Sequence, residues 1–181
     1  MRVRIPARLA PRPVLAAAAA ALAAATSGLF AAAPAAAQTY TPLPAHSYAP
    51  YYETYLAPNT PGITATAQAS GARYFTLAFL QSTRKGSCTL DWNGMASQPL
   101  DYYASDIASL RAMGGDVIPS FGGYSADHGG TEIADSCTNV QAIAADYEQV
   151  ITTLGVTRLD MDVESNSLNN RLASIRSSRE P

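Results

Sequence analysis

The segment Leu159-Asp160-Met161-Asp162-Val163-Glu164 alternates apolar and acidic residues with period two. That is the periodicity of an extended strand, which sends successive side chains to opposite faces. Leu159, Met161 and Val163 then share one face, and Asp160, Asp162 and Glu164 share the other. Three carboxylates along one face each raise the cost of ionising the next, so at least one is expected to hold a proton near neutral pH. No Lys or Arg lies on that face to neutralise it. Three readings compete. A half-exposed edge strand would leave the acids solvated. A divalent cation would take the Asp160 and Asp162 carboxylates as hard oxygen ligands. General acid catalysis on a sugar would use carboxyl groups tuned apart by their neighbours, and this is the favoured reading.

Such a row must be held by a scaffold, and the chain before it reads as alternating strands and helices. Tyr51 to Tyr55 is an aromatic first strand. A turn at Pro58 to Gly62 and a short helix from Ile63 to Ser70, ended by Gly71, follow. Tyr74 to Leu80 is a near-continuous apolar run, the mark of a strand buried on both faces in a parallel sheet. Gln81 to Gln98 reads as a long polar loop in which Trp92 either stacks on a sugar or packs beneath the loop. Leu100 to Met113 is helical, with Tyr103, Ile107 and Leu110 on one face and Gly114-Gly115 ending it. Asp116 to Phe121 is the third strand and runs into Gly122-Gly123, where backbone can approach a ligand or a neighbouring strand closely. Tyr124 to Cys137 reads as a second polar loop, and its His128, like His46 in the lead-in, is most simply solvated. Thr138 or Asn139 caps a helix carrying Val140, Ile143, Tyr147, Val150, Ile151 and Leu154, closed by Gly155. Val156 to Glu164 is the fourth strand. The order β-α-β-α-β-α-β predicts an α/β fold with parallel crossovers, either a doubly wound sheet or a (β/α)8 barrel. No glycine-rich dinucleotide loop follows the first strand, and carboxylates at a strand's end suit the C-terminal face of a barrel.

Composition sets the outer limits. The chain has 181 residues, of which 14% are charged, enough for one domain plus processing segments. Arg2, Arg4, Arg8 and Arg12, the Ala-rich run from Val14 to Ala25, and Ala35-Ala36-Ala37 read as a secretory signal covering residues 1–37. The apolar run is short for a membrane span, so no membrane association is expected after cleavage. Without the leader's four arginines, eight basic residues face fourteen acidic ones, a net charge of −6. Nucleic acid is a poor partner for that surface, and a neutral polymer a compatible one. An exported chain meets an oxidising compartment, so a Cys88–Cys137 disulfide is expected, with two buried thiols as the alternative. Residues 38–47 read as an extended lead-in.

Ser120-Phe121-Gly122-Gly123 on the third strand, followed one helix later by Asp160-x-Asp162-x-Glu164 on the fourth, resembles family-18 glycoside hydrolases, the chitinase family. The likeness runs over roughly residues 48–170, and the leader is similar to those of actinobacterial secreted chitinases. The resemblance implies a partial (β/α)8 TIM barrel over residues 48–164, about strands one to four with their helices. It implies that Glu164 is the general acid, that Asp162 holds the substrate's 2-acetamido group, and that Asp160 shares a proton with Asp162. Ser120 would support the aspartates, and Tyr52, Trp92, Gly122 and Gly123 would lie about the sugar. The substrate would be chitin or N-acetylglucosamine oligomers, with no cofactor and no metal, acted on by a monomer outside the cell. A non-catalytic carbohydrate-binding relative is the alternative. Thr157 stands where the family's longer motif has its first Asp. A barrel of this kind takes about 250 residues, whereas 17 follow Glu164 here. Residues 165–181 are therefore expected to be an irregular, truncated tail, and hydrolysis by this chain to be impaired.

Overall fold

A computed structural model describes residues 43–57 and 59–170. The expected leader, residues 38–42 of the lead-in and residues 171–181 of the tail lie outside them. The elements in chain order are β1 (Tyr51–Glu53), a 3-10 turn (Thr54–Leu56), α1 (Ile63–Ser70), β2 (Tyr74–Ser82) and β3 (Leu90–Trp92). Then come α2 (Ala104–Ala112), β4 (Asp116–Gly122), α3 (Tyr124–Gly129), α4 (Ile133–Ser136), α5 (Val140–Leu154), β5 (Asp160–Asp162) and α6 (Ser165–Asn169). The sheet runs β1-β2-β4-β5 with every one of these pairs parallel, as the apolar strand runs predicted.

The two faces of the sheet differ because strand side chains alternate. Tyr52, Phe75, Leu77, Val117 and Phe121 join one core with Ile107 and Leu110 of α2 and Ile143, Tyr147, Val150 and Leu154 of α5. Phe121 meets Tyr147 edge to face at 5.0 Å between centroids. Leu159 and Met161 pack against this core, as the alternation at Leu159–Glu164 requires. The opposite face carries Tyr51, Thr76, Ser120, Asp160 and Asp162, with Tyr51 paired to Thr76 and Ser120 to Asp160. That face is strongly concave. In a flat sheet, three strand spacings would hold β1 and β5 about 14 Å apart. Yet the Tyr51 hydroxyl reaches the Asp160 carboxylate at 2.7 Å.

Helix ends follow the local sequence. Asn139 caps α5, accepting from the Gln141 and Ala142 amides, and Gly155 ends it in the left-handed region at φ 62°. The helix read from Leu100 begins at Ala104 instead, while Leu100 and Tyr103 are buried ahead of it.

The first strand, read over Tyr51–Tyr55, is β1, Tyr51–Glu53, and the fourth, read over Val156–Glu164, is β5, Asp160–Asp162; other stretches differ in kind. The loop drawn over Gln81–Gln98 contains β3, which pairs antiparallel with the end of β2, Leu80 opposite Trp92. The loop drawn over Tyr124–Cys137 holds α3 and α4. The start of the supposed irregular tail is α6. These helices are short, their polar composition gives no apolar period, and α4 and α6 are capped by side chains. The lead-in is tied down: Leu43 is buried, and Arg158 donates to the Ser47 hydroxyl and the Pro44 carbonyl. Among the described residues, no helix is long and apolar enough to cross a membrane.

Cys88 and Cys137 form a disulfide across a sequence separation of 49, with Cα atoms 4.7 Å apart. It fastens the β2–β3 connection to the segment between α4 and α5. Replacing both cysteines by serine is expected to cost about 4 kcal/mol in chemical denaturation, because the unfolded chain regains the freedom of that loop. A second prediction concerns Asp146 on α5. It lines a cavity of about 480 Å3 with Asp91 and Asp101, and its Oδ2 is buried without a hydrogen bond. Burial pushes its carboxyl up from the usual 3.8 to about 6. A raised folded-state value means full stability below the unfolded value and a loss as pH rises through about 6. Asp146→Asn should therefore be the more stable chain at pH 7 by about 1 kcal/mol, after discounting for solvent that still reaches the site. The advantage should vanish below about pH 4, where the unfolded chain's carboxyl is also protonated.

Candidate functional site

The acid row emerges where β5 leaves the sheet. Register fixes it: Ser120 pairs with Asp160, Phe121 with Met161 and Gly122 with Asp162. Ser120 is fully buried, and its hydroxyl donates to Asp160 Oδ2 at 2.6 Å. Tyr51 donates to the same oxygen from the far edge of the sheet at 2.7 Å. Burial, then the hydrogen bond and charge of Asp160, push the Tyr51 phenol up to about 12, so it remains a donor at any working pH. Burial also raises the Asp162 carboxyl above its ordinary 3.8, with the charge of Asp160 adding to the shift. Two hydroxyls thus hold Asp160 beside an Asp162 whose carboxyl is raised. Glu164 follows two residues on, half-buried, on extended backbone at φ −99° and ψ −172°, at the N-cap of α6. Arg158 shares the parity of the acids but makes no ion pair with them among the described residues, being bound to Ser47 and Pro44.

The Ser-x-Gly-Gly stretch is explained by packing. A Cβ on Gly122, at φ +100°, would lie 2.2 Å from the Asp162 carbonyl oxygen. A Cβ on Gly123, at φ +85°, would lie 2.7 Å from the Phe79 ring. The Gly123 amide donates to that same Asp162 carbonyl at 3.1 Å. These glycines let β4 and the acid strand meet and seat Phe79. Of the two approaches that the sequence offered for them, to a ligand or to a neighbouring strand, this is the second.

Trp92 takes the packed one of its two expected places, and Tyr52 lies in the core instead of about a sugar. Trp92 is fully buried, donates its indole N–H to the Leu100 carbonyl at 3.0 Å and packs edge to face on Tyr103. Tyr52 turns into the core beside Phe75 and donates its hydroxyl to the Pro61 carbonyl at 2.8 Å. Its neighbour Tyr51 holds the place at the acids. Adjacent tyrosines on a strand face opposite ways, and only pairing with β2 decides which is which. Phe79 was missed too. Its ring lies 6.0 Å from that of Tyr51 and also lines a cleft of about 390 Å3 with Tyr55, Asn93, Met95 and Tyr124. Tyr55, Met95 and Tyr124 are half or more exposed there. His128 stacks on Tyr124 with centroids 3.9 Å apart, and His46 is exposed; neither joins the acids. Among the described residues, no three His, Cys, Asp or Glu side chains are grouped to hold a metal ion.

Gly122→Ala is expected to destabilise the chain by about 2–4 kcal/mol in urea denaturation, since its methyl would strike backbone in a conformation that only glycine adopts readily. Tyr51→Phe, which removes only one hydroxyl, should cost about 1 kcal/mol.

No protein-family model matches the chain. It is 36% identical over 124 residues to the "Probable bifunctional chitinase/lysozyme" of Escherichia coli (strain K12), covering 67% of this chain and 13% of that protein. It is 36% identical over 122 residues to Endochitinase 11 of Metarhizium anisopliae, covering 67% of this chain and 22% of that one. The chain thus spans well under a quarter of the length of these curated relatives. Among solved structures it is similar to the catalytic domain of a hyperthermophilic chitinase from Pyrococcus furiosus, with a TM-score of 0.60 and 30% identity over 77% of this chain and 45% of that one. It is likewise similar to active domain 2 of the chitinase from that organism, solved as catalytic-site mutants, at a TM-score of 0.61 and 29% identity. Over the α/β stretch that they share, this chain is homologous to chitinase catalytic domains and is chitinase-like in both sequence and fold.

Proposed function

We propose that the acid row is the catalytic centre of a family-18 type glycoside hydrolase acting on chitin or N-acetylglucosamine oligomers. In this reading Glu164 protonates the glycosidic oxygen as the bond to the anomeric carbon breaks. The substrate's own 2-acetamido oxygen, held by Asp162, attacks that carbon from the opposite face. Water then displaces that oxygen with Glu164 acting as base, and two inversions leave the configuration retained. Asp160, held by Ser120 and Tyr51, shares a proton with Asp162. The observation that carries this reading is the raised Asp162 carboxyl beside an Asp160 fixed by two hydroxyl donors. A group that must alternate between accepting and donating needs a neighbour that can take up its proton. The curl that brings Tyr51 to Asp160 supports the further proposal that the sheet is strands one to four of a (β/α)8 barrel. The arginine- and alanine-rich leader supports export, and the mature chain's net negative charge fits a neutral polymer.

A second reading, carbohydrate binding without turnover, is favoured by the exposed Tyr55, Met95 and Tyr124 along the cleft beside Phe79. One experiment separates the two. Incubated with a chito-oligosaccharide, the chain is expected to release shortened products slowly, and Glu164→Gln to reduce that release by about 100-fold or more. Turnover unchanged by Glu164→Gln would remove Glu164 from the role. Retention on chitin with no product from either chain would favour the binding reading.

A further inference from the structure

A helix leaves its first amides unpaired, and the N-cap side chain normally accepts from N2 or N3. α5 follows the rule through Asn139, whose Oδ1 lies 3.0 Å from the Gln141 amide and 3.2 Å from that of Ala142. α4 follows it with a glutamate. Glu132 is buried, and its Oε2 accepts from the Ala134 amide at 2.7 Å and the Asp135 amide at 3.2 Å. α6 is comparably short and also has a glutamate at its N-cap, Glu164, yet Glu164 makes no such bond. The amide that it would take at N3 belongs to Ser167, and Asp127 Oδ1 already accepts from it at 2.8 Å.

Asp127 comes from α3 and is 4% exposed. Its other oxygen accepts from Asn166 Nδ2 at 2.9 Å. Asp135 of α4 accepts from the Ser167 hydroxyl, and from Asn170 Nδ2 at 2.7 Å. The start of α6 is thus capped from outside by Asp127 and tied by its side chains to Asp135, both aspartates 30 or more residues earlier in the chain.

We propose that Asp127 is a positioning residue for Glu164: by occupying the Ser167 amide, it keeps the Glu164 carboxyl from folding back onto its own helix. The proposal rests on the reading of Glu164 as the general acid. Glu132 shows the alternative, a glutamate at such a cap turned onto its own helix. A carboxyl that accepts from two backbone amides is aimed at its own helix and away from a ligand. That is wrong for a proton donor.

The test follows the Ser167 amide by NMR through a pH titration of the labelled full chain. Asp127, Asp135 and His128 are other ionisable groups near this amide, His128 Nδ1 lying 3.4 Å from Asp127 Oδ2, so Glu164→Gln is used to isolate the glutamate. In the unsubstituted chain, adding Glu164→Gln should leave the amide's titration unchanged. In Asp127→Ala the amide should acquire a response that disappears when Glu164→Gln is added. Asp127→Asn keeps an acceptor oxygen and should behave like the unsubstituted chain. Asp127→Leu, near-isosteric and without an acceptor, serves if Asp127→Ala does not fold. Absence of a Glu164-dependent response in a folded Ala or Leu variant overturns the proposal. Its presence, with oligosaccharide hydrolysis indifferent to Glu164→Gln, upholds the cap and overturns the catalytic role instead.

Discussion

One carboxylate closes this structure on itself. Asp160 Oδ2 accepts from Ser120 on the adjacent strand and from Tyr51 three strands away. A flat sheet could not bring those groups together. The curl that allows it makes one face concave and gathers the polar side chains there. The apolar side chains of the same strands face α2 and α5 on the other side. Fold and site are therefore not separate problems here. The same alternation that builds the core delivers the acids to the mouth of the sheet.

The acids depend equally on residues that carry no charge. Gly122 and Gly123 leave room for the Asp162 carbonyl and for the Phe79 ring. Phe79 in turn lies beside Tyr51. A side chain on either glycine would push on the backbone of the acid strand or on the ring that backs its hydrogen-bond donor. The register of β5 is also constrained. A slip of one residue would turn Met161 outward and bury Asp160 and Asp162 in the core, at a cost no three-residue strand could offset.

What the sequence made legible was local and periodic. The alternation at Leu159–Glu164, the apolar run of β2 and the helical face of α5 can each be read within one turn or one strand. What stayed hidden was set by distant partners. Tyr51 and Tyr52 are chemically identical, and pairing with Thr76 and Leu77 of β2 sends one to the acids and the other to the core. Trp92 sits among polar residues, but its three-residue strand is covered by Tyr103 and the segment before α2. α3, α4 and α6 lack an apolar stripe because they are held by caps and by hydrogen bonds between Asp127, Asp135, Ser167 and Asn170. Such bonds join residues more than 30 apart and leave no period to find.

The two glutamate N-caps show how residue type alone underdetermines chemistry. Glu132 and Glu164 both open short helices in this chain. Glu132 spends its carboxylate on its own helix and is buried there; Glu164 has its helix satisfied by others and stays half open. An isolated glutamate at a helix start would favour the first arrangement, because unpaired buried amides are costly. In α6 an outside acceptor on α3 takes the third amide instead. A carboxyl at a helix start is thus left open by its neighbours, and the aspartate on α3 belongs to the surroundings of Glu164 as much as the row of acids that the sequence announces.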